Sequence, residues 1–326
     1  MATIHDVARE AGVSIATVSR SLNGQARVSE QTRRRVLDIA HDLDFLPNRA
    51  ARGLVTGRLG NVGVLVPDLT NPFYAPLVAG IEQVAQTLDM GVFLADSRER
   101  QLAEQTLIRR LNQQVDGLIL MASRLPDEAV VSLTTALPSV LVNRAVPGIS
   151  SVGVDARRGM AQILEHLAEL GHTRVAYVDG PPTSSLGRSK LSGLTETAGE
   201  LGVQLQVVGS YAPTFAAGRQ AAQAVGDSQA TAVVAFNDLL AWGLITRLSE
   251  SGLRIPEDLS VAGFDDAIEE GMLRPALTTV SPQSGAVGRR AMHLLTQLIS
   301  EGSDGPAVEY LSCIARFRES TAPPTR

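Results

Sequence analysis

One cysteine, one lysine, one tryptophan and no long apolar run mark this 326-residue chain by what it lacks. With Cys313 alone, no intrachain disulfide can form and a multi-cysteine zinc site is excluded. No run of eighteen apolar residues is present to span a bilayer, and no basic start leads into an apolar stretch of signal-peptide length. The expected location is therefore the cytoplasm. Enzyme signatures are missing too: no GxGxxG follows a strand, and there is no P-loop and no HExxH. His166 and His172 bracket a helix end and read as structural. Asp265-Asp266 has no companions at metal-ligand spacing, so neither metal, cofactor nor catalysis is expected.

What is present is ordinary globular composition, 44% hydrophobic and 19% charged, in a chain long enough for two or three domains. The net charge of −5 is unevenly spread. Residues 1–58 hold nine Arg against six acids, a net +3, which leaves −8 for the rest. A basic head on an acidic body suits a phosphate-binding module whose body DNA repels. The basic residues are 28 Arg and the single Lys190.

Thr3 reads as the N-cap of a helix Ile4–Ala11, stopped by Gly12. Ser14 caps a second, Ile15–Leu22, with Val18 and Leu22 inward and Ile15, Ala16, Thr17, Ser19 and Arg20 outward. Two short helices about a Gly turn make a helix-turn-helix, and that outward face is small enough to enter a major groove. A third helix is expected over Ser29–Asp44, burying Val36, Leu37, Ile39, Ala40 and Leu43, with Pro47 ending the unit.

From Asn61 strand and helix alternate. Apolar runs at Val62–Val66, Val92–Ala95, Leu118–Leu120 and Ser139–Val142 form one series. Val175–Val178, Leu205–Val208, Ala232–Phe236 and Leu259–Ala262 form another, and helical stretches such as Phe73–Leu88 and Ala103–Asn112 separate the runs. Two such series imply two doubly wound parallel-sheet subdomains whose strand ends share a cleft, where ligands bind. Asn237 and Asp265 each follow an apolar strand, so their side chains should project at its carboxyl end.

Thr3-Ile4-His5-Asp6-Val7-Ala8, Gly12-Val13-Ser14, Thr17-Val18-Ser19-Arg20, Leu22-Asn23 and Pro47-Asn48-Arg49-Ala50-Ala51-Arg52-Gly53-Leu54 together resemble the head of the lactose-repressor (LacI/GalR) family. The resemblance continues through Val66-Pro67-Asp68, Asn71-Pro72-Phe73, Asp179-Gly180-Pro181, Phe236-Asn237-Asp238 and Gly263-Phe264-Asp265-Asp266 to Arg318-Glu319-Ser320-Thr321. It implies an all-α helix-turn-helix head (1–47), a hinge helix and linker (48–58), and an α/β periplasmic-binding-protein-like effector domain (59–326). The effector domain would comprise an N-subdomain of about 60–154 plus 283–304 and a C-subdomain of about 156–279 plus 306–326, with crossings near Val154, Val280 and Gly305.

The same resemblance assigns roles. Ile15 and Ala16 would choose bases by apolar contact with thymine methyls, and Arg20 would reach a guanine edge. His5, Thr17 and Ser19 would position phosphates, and Ser14 stands with them among the DNA-binding residues. Asn48, Arg49, Ala51 and Leu54 fall on the hinge helix, with Leu54 as the wedge that kinks the central base step. In the cleft, Phe73 would stack on the ligand, with Asn143, Lys190, Asn237 and Asp265 as polar contacts and Arg144 and Arg188 as further candidates. Lys190 departs from the pattern, which has an arginine three residues before Gly193; a lysine offers a point charge rather than a planar fork. Trp242 would sit in a homodimer interface, and Pro323-Pro324 argue against a helical tetramerisation tail. The expected partners are operator DNA, a second copy of the chain and a small-molecule effector, most simply a sugar inducer. A phosphorylated protein corepressor or a purine-type metabolite is the alternative.

Overall fold

The computed structural model describes residues 2–22, 28–45, 58–302 and 305–325. They separate into two compact units, residues 1–60 and 61–326, each treated by itself. The hinge-helix positions Asn48, Arg49, Ala51 and Leu54 lie outside the described residues.

The head is three helices, α1 (Ile4–Ala11), α2 (Ile15–Leu22) and α3 (Glu30–Asp42), around Val7, Ala8, Ala11, Val18, Val36 and Ala40. Each start is capped as its sequence requires. Thr3 Oγ1 accepts the Asp6 N–H while the Asp6 carboxylate accepts the Thr3 N–H, and Ser14 and Ser29 cap α2 and α3 in turn. Gly12, at φ +62°, closes α1 in the left-handed conformation that the tight turn needs. Two expectations are corrected here. α3 stops at Asp42, because Asp44 takes a positive φ, and Leu37 points outward, one residue round the helix from buried Val36.

The effector unit has two lobes. The first is a six-stranded parallel sheet ordered β11-β5-β4-β3-β1-β2. It is built from β1 (Asn61–Val66), β2 (Gly91–Asp96), β3 (Gly117–Met121), β4 (Ser139–Val142), β5 (Ser150–Val154) and β11 (Val308–Leu311). The second is a four-stranded parallel sheet ordered β7-β6-β8-β9: β6 (Arg174–Asp179), β7 (Gln204–Ser210), β8 (Ala232–Ala235) and β9 (Ser260–Ala262). Helices α4 (Tyr74–Thr87), α5 (Gln101–Leu111), α6 (Asp127–Thr134) and α11 (Ser284–Glu301) belong to the first lobe. Helices α7 (Ala156–Glu169), α8 (Ser185–Leu201), α9 (Phe215–Asp227) and α10 (Asp238–Glu250) belong to the second. α4 meets α11 at backbone distance, since a Cβ on Gly288 would run into the Leu77 carbonyl. Gly193 lets α8 approach the Arg157 carbonyl of α7 in the same way.

The chain crosses between lobes three times. The first crossing follows Val154 and the second runs through β10 (Thr279–Ser281). The third was expected near Gly305. Instead β11 pairs in parallel with β5, Val308 opposite Ser151 and Leu311 opposite Val154, so residues 308–311 still belong to the first lobe and the chain leaves it after Leu311. It then enters β12 (Ile314–Arg316), which pairs antiparallel with β10. The crossings are tied together: the Asp155 N–H donates to the Leu311 carbonyl, and the Gln283 amide donates to the Ser312 carbonyl.

Candidate functional site: an interlobe cleft and a DNA-reading head

In each sheet the strand order reverses, between β1 and β3 in the first lobe and between β6 and β8 in the second. Such switch points open ligand crevices at the carboxyl ends of strands. The cleft lies there, and nearly every residue lining it follows a strand. Asn71, Phe73 and Tyr74 come after β1, Arg124 after β3 and Asn143 after β4; Ser184 follows β6, Phe236 and Asn237 follow β8, and Asp265 follows β9. Lys190 reaches in from α8.

On the first-lobe side, buried Phe73 and Tyr74 meet edge to face at 5.1 Å and 76°. Asn71 Oδ1 accepts the Phe73 N–H and so sets the pitch of that wall. Arg124 is held by both Glu99 oxygens at 2.7 and 3.2 Å, and its N–H donates to Glu104. Asn143 takes a left-handed φ of +58°, and its buried Oδ1 has no hydrogen-bond partner among the described residues. An unmet buried acceptor in a cleft asks for a donor from a ligand.

On the second-lobe side Lys190 is wholly buried. Its Nζ donates to the Phe236 carbonyl at 2.8 Å, stands 3.8 Å from the Asp265 carboxylate, and lies over the Phe236 and Phe264 rings at 4.2 and 3.7 Å. Burial lowers its pKa, while the Asp265, Asp238 and Asp179 charges oppose that shift. Asp265 holds a strained φ of +119°; burial pushes its carboxyl up to about 6, against the pull of Lys190. Asp238, behind it, is pushed up to about 8 by burial and then by the Asp265 charge, although the Thr279 hydroxyl and Ala267 N–H donate to it. Asn237 is partly committed to structure: its Oδ1 caps α10 by accepting the Leu240 N–H, and its Nδ2 donates to the Pro213 carbonyl at 3.4 Å.

Of the seven ligand-site residues expected from sequence, five converge: Phe73, Asn143, Lys190, Asn237 and Asp265. Arg144 and Arg188 do not line the cleft. Arg144 donates to the Ser123 carbonyl and pairs with Asp127. Arg188 is exposed, donates to the Ser185 hydroxyl, and supplies no fork to the cleft. Sequence reasoning missed Tyr74, Arg124, Ser184 and Phe236 as lining residues, and the strand-end signal used for Asn237 would have found Arg124. The unfilled space among these side chains is about 30 Å³, room for a water or two. A larger ligand enters only as the lobes or these side chains move apart.

In the head, Ile15, Ala16 and Arg20 are exposed along one face of α2, with Thr17 and Ser19 half-buried beside them and His5 exposed on α1. Ser14 faces out at the α2 N-terminus and shares a hydroxyl contact with Thr17 at 2.9 Å. In the effector unit Trp242 is half-buried on α10 and packs edge-on against Phe215 of α9 at 5.1 Å.

His172 is buried and bonded to Thr231, Ser260 and the Ala322 carbonyl, a structural set of contacts. Among the described residues no group of three or more His, Cys, Asp or Glu could hold a metal, and no helix is long and apolar enough to cross a membrane.

Residues 3–48 match the model of bacterial regulatory proteins of the lacI family, and residues 164–321 match the periplasmic binding protein-like domain. Catabolite control protein A of Priestia megaterium is 34% identical over 98% of this chain and 99% of its own. The chain belongs to the lacI family of bacterial regulatory proteins. The HTH-type transcriptional repressor CytR of Escherichia coli K12 is 32% identical over 98% of this chain and 96% of its own. Among solved structures, a lac repressor dimer bound to operator and an anti-inducer superposes with a TM-score of 0.87 at 28% identity, over 98% of this chain and 99% of that one. A complex of the transcriptional regulator CelR with cellobiose gives 0.74 at 29%, over 98% and 100%. This LacI-family chain is thus a helix-turn-helix transcription regulator with a periplasmic-binding-protein-like effector domain, and the relatives named above are regulators.

Proposed function

We propose that this LacI-family protein represses transcription as a homodimer on a near-palindromic operator and is released by an uncharged, hydroxyl-rich effector, a sugar, bound in the cleft. The carrying observation is the charge balance of that cleft. Both cations that line it are matched, Arg124 by Glu99 and Lys190 by Asp265, while the Asn143 oxygen lacks a donor and Phe73 with Tyr74 forms an apolar wall. Neutral hydroxyls and a ring face suit that surface better than a phosphate or carboxylate. Cellobiose and ribose complexes of relatives support the same class.

In this reading Ile15, Ala16 and Arg20 read base edges, His5, Ser14, Thr17 and Ser19 seat on phosphates, and Leu54 with Asn48, Arg49 and Ala51 serves the minor groove. The hinge segment is taken as 48–58 and the head as 1–47. Trp242 borders the dimer contact, and the molecule works in the cytoplasm on the nucleoid. A cleft with room for only one or two waters has to open to admit a sugar. Effector stabilises the lobe arrangement that admits it, and operator binding weakens an inducer by the same factor.

The test is a fluorescence-anisotropy titration against DNA from the protein's own upstream region, at fixed salt, repeated with mono- and disaccharides. Release by one sugar supports the reading. Tight binding unmoved by any sugar overturns the sugar effector and points to a metabolite or protein corepressor.

A further inference from the structure

Beside the interlobe hinge formed by the three crossings lies a second cavity, open to solvent, between α7 and the third crossing, with a volume of about 380 Å³ against about 30 Å³ in the cleft. It has the size of a small-molecule site. Gln162, Glu165, His166 and Glu169 line it from α7, and Cys313 and Phe317 from the strand side. It shares no lining residue with the effector cleft.

Its walls are chemically distinct. The His166 ring stacks on Phe317 at 4.0 Å and 15°, and His166 Nε2 bonds the Thr321 hydroxyl at 3.0 Å, so the pair forms a fixed flat face. Phe317 nevertheless stays 53% exposed, in a chain with only 4% aromatic residues. Burial lowers the His166 pKa, against the opposing pull of the Glu169 charge. The carboxylates above it differ: Glu165 is matched by Arg158 at 2.6 Å, while Glu169 stands exposed at the mouth, one helical turn from His166. Of the nearby cations on the strand side, Arg318 is engaged by Asp266, while Arg316 is exposed on β12, on the opposite strand face from Ala315. Gln162 Oε1 accepts the Ala315 N–H, which leaves its amide NH₂ as a donor.

We propose that this hinge cavity is a second ligand site that takes a small organic cation with a flat or apolar body, such as an arylalkylamine. The ring lies against the Phe317–His166 face and the ammonium meets Glu169, with a cation–π contribution from Phe317. The position gives the site a consequence for the cleft. A Cβ on Gly159 would touch Val280, Cys313 and Phe264 together, so those three pack as one layer at the hinge. Phe264 also carries the Lys190 ammonium over its ring. An occupant beside Cys313 therefore adjoins the layer that backs the effector cleft.

Calorimetric titration of the full-length protein with tyramine and with phenethylamine tests this, with phenethyl alcohol as the neutral control. The expected result is one saturable site per chain for the amines only. Glu169→Gln and Phe317→Ala should each weaken it about three- to fivefold, since both contacts are partly exposed. Cys313 is the only thiol; burial pushes it up to about 12, so its labelling is slow, and bound amine should slow it further in the unsubstituted protein, a readout that needs no variant and no operator. Absence of saturable amine binding, equal binding of the alcohol, or affinity that survives both substitutions with Cys313 unprotected would overturn the proposal. None of these residues lines the effector cleft, so the sugar and operator titrations stand or fall separately.

Discussion

Replacing Lys190 with methionine isolates the buried cluster at the heart of the effector domain. Methionine matches the lysine stem in length, and its thioether sits well between the Phe236 and Phe264 rings. What disappears is the ammonium that donates to the Phe236 carbonyl and faces Asp265 at 3.8 Å. Removing one partner of a buried ion pair costs about 3–5 kcal/mol, because the other charge is left unmatched. Asp265 has a way out, since its carboxyl already sits at about 6 with Lys190 in place and rises further without it.

A carboxyl raised on folding contributes stability that is present below its unfolded value and lost as pH rises through its folded value. In the variant that decline runs on to higher pH than in the parent, so the gap between them widens from pH 5 to pH 7.5. We expect a loss of about 3 kcal/mol at pH 7.5. At pH 5 Asp265 is protonated in both proteins, and the loss shrinks to about 1 kcal/mol, the scale of one hydrogen bond. Urea unfolding followed by Trp242 fluorescence reports the effector domain alone, since the head has no tryptophan. An equal loss at both pH values, or a variant more stable at neutral pH, would refute the reasoning.

Three further outcomes follow from the same geometry. Asp238→Asn should flatten the fall in effector-domain stability that the parent shows between pH 5 and pH 8, because Asp238 is raised from 3.8 to about 8 and its contribution is lost as pH climbs through that window; Trp242 unfolding at several pH values checks it. Gly193→Ala should cost about 1–3 kcal/mol in the same assay, since the added methyl meets the Arg157 backbone rather than a side chain that can swing away. Arg20→Ala should weaken operator binding by about 1–3 kcal/mol and erase the preference at one base pair, while changing the salt slope by less than about one; competition with substituted operators reads both.

Much of this architecture was visible in the residue order. The capped helices of the head and the strand–helix alternation of the body follow from local patterns, and eight apolar runs mark eight of the strands. β5 escaped because Ser150-Ser151-Val152-Gly153-Val154 carries no apolar run; its Gly153 is covered by Tyr310 from β11. β11 itself was assigned to the wrong lobe because its partner lies more than 150 residues earlier, and nothing local announces that pairing. In the cleft, Asn143 was legible and Arg144 was not, since the chain turns at the left-handed Asn143 and sends the next side chain toward Asp127. Arg188 failed for a helical reason: two residues from Lys190 is more than half a turn, so the two point to different sides of α8. The commitment of Lys190 to a backbone carbonyl and two rings needed the fold, because Phe236 and Phe264 come from separate loops.

The late return of the chain to its first lobe has a bearing on how the molecule is made. Synthesis runs from the head onward, and the three head helices have a core of their own, available while most of the chain is still unmade. The six-stranded sheet cannot close its β5 edge until residues 308–311 emerge, and the second lobe waits for Ser320, which bonds Val261 and Thr278. Neither lobe can mature ahead of the other, so the effector domain assembles as one late, non-local event. A ribosome that stalls anywhere in the body leaves a nascent chain with a folded head and no completed effector domain to govern it.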